Sequence, residues 1–165
     1  TDAKQHSVLV LLDLSAAFYT VDHDVLLDRL ERWVGLSSPV LNWFRTYLTG
    51  RECFVTLGEH SSEKINITCG VPQGSILAPV LFSLYTVEVG SLHTKHSIDF
   101  HCCADDTQLY ISLSPEDFSS TDKLLDFISD LNTWMAHNFL QINQHKTEVL
   151  IVGAKAQREN LAGTF

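Results

Sequence analysis

The chain opens on a nearly unbroken apolar run, Ser7 to Leu14 (SVLVLLDL), interrupted by Asp13 alone. Its length and branched residues predict a strand buried on both faces, with the aspartate at its C-terminal end. From Val21 to Val34 the period changes to 3.6 residues, with Val21, Val25, Leu26, Leu30 and Val34 on one face. That pattern predicts a helix capped by Asp22 or Asp24 and stopped by Gly35. Pro39 marks the start of a second helix, which Leu41, Trp43, Phe44, Tyr47 and Leu48 fill and Gly50 stops. Glu52 to Leu57 and Lys64 to Thr68 predict two strands about the polar turn Gly58 to Ser62. Gly70 to Gly74 (GVPQG) is punctuated into a loop, and Ile76 to Val89 follows as an apolar helix with Pro79 near its start. Ser97 to Cys103 and Thr107 to Leu113 are strand-like on either side of Ala104-Asp105-Asp106, a hairpin with two acids at its tip. Asp117 to Phe139 carries apolar residues at helical spacing, and Leu140 to Ile142 with Glu148 to Val152 predict a closing strand pair.

Strands grouped with helices, rather than alternating with them, predict an α+β fold with antiparallel pairing. A length of 165 residues sets one domain, with an ordered core from about 7 to 153 and a polar, frayed tail over 154–165. The tryptophans Trp33, Trp43 and Trp134 read as core.

Composition narrows the class. Hydrophobic residues are 45% and charged residues 19%, the balance of a globular chain. No apolar run approaches the roughly 18 residues of a membrane span, so no membrane partner is expected. The four cysteines, Cys53, Cys69, Cys102 and Cys103, form no C-x-x-C, which points to a reducing, intracellular setting, nucleus or cytoplasm alike. His93, His96 and His101 lie near two of those cysteines, but their spacing matches no regular structural zinc pattern. The net charge of −9 opposes a nucleic-acid surface, whose footprint is normally basic. Either the acids gather at a metal site or the basic contacts lie outside this chain.

Asp13, Asp105 and Asp106 all stand at strand ends beside apolar runs. Burying unpaired carboxylates is costly, so such acids tend to have a cation partner. On neighbouring strands they would converge on hard divalent ions, which favour oxygen ligands. Two such ions about 4 Å apart form the clamp of polymerases and nucleases. The spacing fits equally an ordinary turn with two solvated acids and an unrelated strand-end acid, because Asp is a favoured turn residue.

LDLSAAF (Leu12 to Phe18), GVPQGSILAP (Gly70 to Pro79), CADDTQLY (Cys103 to Tyr110) and NFLQINQHKTE (Asn138 to Glu148) occur in this order. Together they closely resemble the palm motifs of reverse transcriptases from LINE-type (non-LTR) retrotransposons of animals. The resemblance implies a polymerase palm, with an antiparallel sheet backed by helices and with fingers and thumb largely absent. It implies an RNA-directed DNA polymerase that uses two Mg²⁺ ions (Mn²⁺ as a substitute), deoxynucleoside triphosphates, an RNA template and a DNA primer. At matching positions, Asp13, Asp105 and Asp106 are the metal-binding acids, with the Leu14 carbonyl a further ligand and Asp105 a surer ligand than Asp106. Phe18 matches the bulky residue that screens the sugar 2′ position. Gln73 and Gly74 match the loop along template and incoming nucleotide, and Lys146 matches the lysine that helps pyrophosphate leave. Taken singly, Phe18 is a core residue, Lys146 a surface lysine and Gln73 a loop amide.

Three positions depart from the family pattern, which usually has Asp where this chain has Tyr19, Tyr at Cys103 and Gly at Ala78. None is a metal carboxylate. Nothing before Asp13 resembles fingers and nothing after Gly153 resembles a thumb, so the chain reads as the palm piece of a longer polyprotein. The alternative is an inactive relic or a co-opted, non-catalytic binding module that keeps the fold. A divalent-metal phosphohydrolase is disfavoured, since it has no need of the GVPQGS loop.

Overall fold

The computed structural model describes residues 6–113 and 119–152. The expected frayed tail over 154–165 and the expected helix start at Asp117 lie outside them. The described chain divides into two compact units, one running to Ser15 and resuming at Thr86, the other Ala16–Tyr85.

The first unit is built on a four-stranded antiparallel sheet. Its strands are β1 (His6–Leu12), β6 (Asp99–Cys103), β7 (Asp106–Leu113) and β8 (Glu148–Val152), in the order β6-β7-β1-β8. The apolar run of β1 is buried on one face only. Val8, Val10 and Leu12 are 1–5% exposed, whereas Leu9 and Leu11 are partly open. The expectation of two buried faces fails because β1 sits in an antiparallel sheet, which needs only one covered side. Helix α5 (Ser119–His137) packs on β7 and on α4 (Val89–His96). Its Leu124, Phe127, Leu131 and Met135, spaced three and four apart, are essentially sealed from solvent.

Two local readings change here. The apolar helix expected over Ile76 to Val89 is two helices, α3 (Ala78–Tyr85) and α4. The closing strands do not pair with each other. β8 pairs with β1, and Ile142 forms a single antiparallel bridge with Leu14.

The second unit holds a short 3-10 turn (Ala17–Tyr19), α1 (His23–Arg32), α2 (Ser38–Leu48), α3 and a nested hairpin of two-residue strands. In that hairpin β2 (Glu52–Cys53) pairs with β5 (Ile65–Asn66), and β3 (Thr56–Leu57) pairs with β4 (His60–Ser61). The Asp22 side chain accepts from the Asp24 and Val25 N–H groups, capping α1 as its position predicts. Leu26, Leu27 and Leu30 are buried, but Val34 lies past the helix end and is 41% exposed. Arg29, on the same inner face, is 3% exposed; its guanidinium stands over the Tyr85 ring at 4.8 Å and donates to the Tyr85 carbonyl. Burial pushes the Tyr85 hydroxyl above its ordinary pKa, against a backbone hydrogen bond at Asp22 that pulls it down. Trp33 and Trp43 are 55% and 53% exposed and so are not core, while Trp134 is half-buried and donates toward Glu88.

Candidate active site

β1 and β7 are antiparallel neighbours, and the last pair of their register is Leu12 with Thr107. The next residue outward on each strand is an acid. Asp13 leaves β1 and Asp106 opens β7 at the same end of the sheet. Asp105 sits in the two-residue turn between Cys103 and Asp106, the first pair of the β6–β7 hairpin. Ala104 takes the positive-φ position of that turn at 56°, where a residue with a Cβ is uncommon. Strand pairing thus carries the acids to one sheet end. Asp13 and Asp105 are partly enclosed and Asp106 is exposed. Among the described residues no three His, Cys, Asp or Glu side chains are gathered closely enough to hold a metal ion.

Asp13 carries the sharpest electrostatic feature. Its Oδ2 is sealed from solvent and accepts no hydrogen bond from the described residues. The Lys146 ammonium stands 3.5 Å from that oxygen, an ion pair without hydrogen-bond geometry. A buried carboxylate oxygen without donors fits a hard cation better than it fits solvent.

The backbone around Asp13 is equally organised. The Asn143 N–H donates to the Asp13 carbonyl at 2.8 Å, and the Ser15 N–H donates to the Gln141 carbonyl at 2.8 Å. These two bonds flank the Leu14–Ile142 bridge, so the Leu14 carbonyl itself is not consumed by it. Asn143 then folds the following segment into a tight turn. Its carbonyl accepts from the N–H groups of Lys146 and Thr147, and its Oδ1 accepts from the His145 N–H. The turn sets the lysine over the aspartate. Asn143 escaped the sequence reading, although it lies within the quoted QINQHKTE stretch.

Beside the acids, Cys103 is exposed and the Cys102 sulfur lies 3.4 Å from the Thr107 hydroxyl. Burial of its sulfur pushes the Cys102 thiol up, although the residue as a whole is exposed, and the Thr107 hydrogen bond pulls it down. His93 meets the Ile98 carbonyl, and His96 bonds Asp130 at 2.7 Å.

The second unit holds the other expected residues. Phe18 is half-buried, its ring 5.2 Å from that of Phe82. Its carbonyl accepts from the Val71 N–H at 2.8 Å, and the Gly70 N–H donates to the Val21 carbonyl at 2.7 Å. The 17–21 and 70–74 segments are thereby stitched together. Gly70, at φ 89°, is required there, because a Cβ would lie 3.0 Å from the Tyr19 carbonyl oxygen. Gln73 and Gly74 are exposed, and the Tyr19 hydroxyl donates to Gln73 Oε1. Tyr47, expected only to fill its helix, and Ser75, named only within GVPQGS, meet here: the Tyr47 hydroxyl donates to Ser75 Oγ at 3.1 Å, and that oxygen accepts from the Ala78 N–H at the start of α3.

An antiparallel sheet backed by helices, with acids at the end of neighbouring strands, is a polymerase palm. Telomerase structures share the fold. The chain aligns with telomerase from Candida albicans in complex with a fragment of telomeric RNA at a TM-score of 0.68 and 14% identity, over 87% of this chain and 27% of that one. An apo telomerase from Candida tropicalis gives 0.67 and 14%, over 92% and 32%. By sequence, residues 1–161 match the family described as "Reverse transcriptase (RNA-dependent DNA polymerase)", and the chain belongs to it. It is 30% identical over 151 residues to the probable RNA-directed DNA polymerase from transposon X-element, and 27% identical over 151 residues to that from transposon BS, both of Drosophila melanogaster. Each alignment covers 88% of this chain and 16% of the relative, so the chain spans about a sixth of the length of these relatives. No described helix is long and apolar enough to cross a membrane.

Proposed function

We propose that this chain supplies the catalytic palm of an RNA-directed DNA polymerase within a longer, intracellular polypeptide. In this reading a primer 3′-hydroxyl attacks the α-phosphorus of a deoxynucleoside triphosphate. A phosphodiester forms, the bond to pyrophosphate breaks, and the hydroxyl proton passes to solvent water. Asp13 and Asp105 are the principal metal ligands, with Asp106 and the Leu14 carbonyl completing the oxygen set. Two divalent cations, Mg²⁺ with Mn²⁺ as a substitute, would lower the pKa of the attacking hydroxyl and stabilise the leaving oxygen. Lys146 brings positive charge to the departing pyrophosphate. Phe18 screens the sugar 2′ position, and Gln73 and Gly74 lie along the template and incoming nucleotide.

The observation that carries this reading is the Asp13 carboxylate, whose sealed Oδ2 has no hydrogen-bond donor among the described residues and has the Lys146 ammonium 3.5 Å away. The test is primer extension on an RNA template by the domain in its full-length context. Mg²⁺-dependent extension that Asp13→Asn abolishes supports the proposal; extension unaffected by Asp13→Asn contradicts it.

A second reading is a copy that has lost catalysis and keeps the fold. It draws support from Tyr19, which stands at the family's usual Asp position and engages the Gln73 side chain. Extension that appears only after Tyr19→Asp and Cys103→Tyr would favour it.

A further inference from the structure

Tyr19 closes the 3-10 turn Ala17–Tyr19, its N–H on the Ala16 carbonyl at 2.8 Å, and is 61% exposed. Aromatic side chains placed for packing bury most of their area, so packing gives no reason for this one. What the ring does is carry its hydroxyl to Gln73, where it donates to Oε1. Both ends of that bond stand on fixed backbone. The foot of the 70–74 loop is held against 18–22 by the Asp22–Cys69 bridge, the Gly70 N–H on the Val21 carbonyl and the Val71 N–H on the Phe18 carbonyl. His23 Nε2 meets the Gly70 carbonyl at 2.8 Å beside them. At the tip, the Ser75 N–H donates to the Pro72 carbonyl at 3.1 Å and Gly74 has φ 83°, the third-position conformation of a type II turn. Gln73 is the second residue of that turn and is exposed. The phenol thus spans from the stitched foot to the tip.

An exposed neutral hydrogen bond contributes little to stability, because water competes for both partners. It does decide how a glutamine amide is used. With Oε1 taken by the phenol, the free end is the NH2 group, which only donates. The rotatable bonds of Gln73 are also restrained before a ligand arrives, and that restraint lowers the cost of binding. An aspartate, the family's usual residue at this position, is acceptor-only when ionised and would engage the NH2 instead, turning the amide round.

We infer that Tyr19 is a positioning residue: its hydroxyl holds Gln73 so that the amide NH2 meets oxygen acceptors of the incoming deoxynucleoside triphosphate. The inference rests on the proposed place of Gln73 beside that nucleotide. It adds a residue that touches no substrate and acts through another side chain.

The test is the affinity for a deoxynucleoside triphosphate, with Mg²⁺, of the full-length protein on an RNA template and a dideoxy-terminated DNA primer. Without a primer 3′-hydroxyl no bond can form, so the readout is binding and not turnover. Tyr19→Phe keeps the ring and removes the hydroxyl; it should weaken binding roughly two- to tenfold, the scale of one neutral hydrogen bond. Tyr19→Asp should weaken it at least as much. With Gln73→Ala already made, Tyr19→Phe should add nothing, since the two side chains act as one unit. In the isotopically labelled chain, Tyr19→Phe should move the Gln73 side-chain amide resonances toward those of a free glutamine while the thermal melt stays where it is. Tyr19→Phe binding like the parent, additive losses with Gln73→Ala, tighter binding by Tyr19→Asp, or Gln73 resonances indifferent to the hydroxyl would each overturn the inference. A parent that binds no triphosphate would overturn the reading of Gln73 on which it rests, whereas parent binding untouched by Tyr19→Phe overturns this inference alone.

Discussion

The Lys146 ammonium stands 3.5 Å from Asp13 Oδ2, and the turn that carries it is tied to Asp13 through the Asn143 N–H at 2.8 Å. Two motifs more than 130 residues apart in sequence are therefore one object.

Lys146→Gln should lower kcat for nucleotide incorporation roughly a hundredfold, the scale of one lost electrostatic contact to charge developing on a leaving group. Its effect on the triphosphate KM should be much smaller. Stability should hardly move, because the lysine is 67% exposed and such pairs contribute about 0–1 kcal/mol. Single-turnover kinetics beside a thermal melt would check both.

The acidic turn gives an ordering of effects in a full-length, active enzyme. Asp105→Asn should cost on the order of a hundred- to thousand-fold or more in rate, because it removes a charged ligand and keeps the shape. Cys103→Tyr should leave activity unchanged or raise it, since it adds aromatic surface where the family has it. Tyr19→Asp should matter less than Asp105→Asn, because it alters no metal carboxylate. Extension rates of the three variants under saturating nucleotide test the ordering.

The acids of this candidate site could be picked out from the chain. Asp13 and the Asp105–Asp106 pair were legible because an acid that ends an apolar strand breaks an otherwise clear pattern. Their placement at one sheet end follows from β1–β7 pairing, which only the fold establishes. The Lys146–Asp13 pair was not legible, since Lys146 alone looks like any surface lysine. Trp33 and Trp43 were misplaced because aromatic content at helical spacing does not say which face meets the core. α4 was missed because VGSLHTKH mixes glycine and polar residues with few apolar ones, and its burial rests on contacts with α5.

Gly70 and Gly74 both have positive φ, yet they should respond differently to alanine. At Gly70 the new Cβ meets backbone atoms of Phe18 and Tyr19 at 3.0–3.1 Å, whereas at Gly74 it meets open space. Gly74→Ala should cost about 1 kcal/mol from the left-handed backbone alone. Gly70→Ala should cost roughly 2–4 kcal/mol, adding the displacement of fixed backbone. Chemical denaturation of both variants separates the two, and equal losses would refute the stitched 17–21 and 70–74 segments.

Acid stability should depend on Asp130. Hydrogen bonds from Lys95 at 2.6 Å and His96 at 2.7 Å hold its carboxyl below the usual carboxylate range. A depressed folded-state pKa contributes stability that is present above the unfolded value near 3.9 and lost as pH falls through the folded value. Thermal melts of the parent should therefore fall more steeply below about pH 4 than those of Asp130→Asn. Parallel acid limbs would remove Asp130 from the account.

The central claim is that the acids at the β1–β7 end form a cation site, and paramagnetic Mn²⁺ reports on it without asking whether this copy still polymerises. In a titration of the isotopically labelled chain followed by amide resonances, broadening should centre on Asp13, Leu14, Asp105 and Asp106. Asp13→Asn and Asp105→Asn should each weaken it strongly. Broadening spread over other acidic surfaces, or undiminished in both variants, would contradict the account.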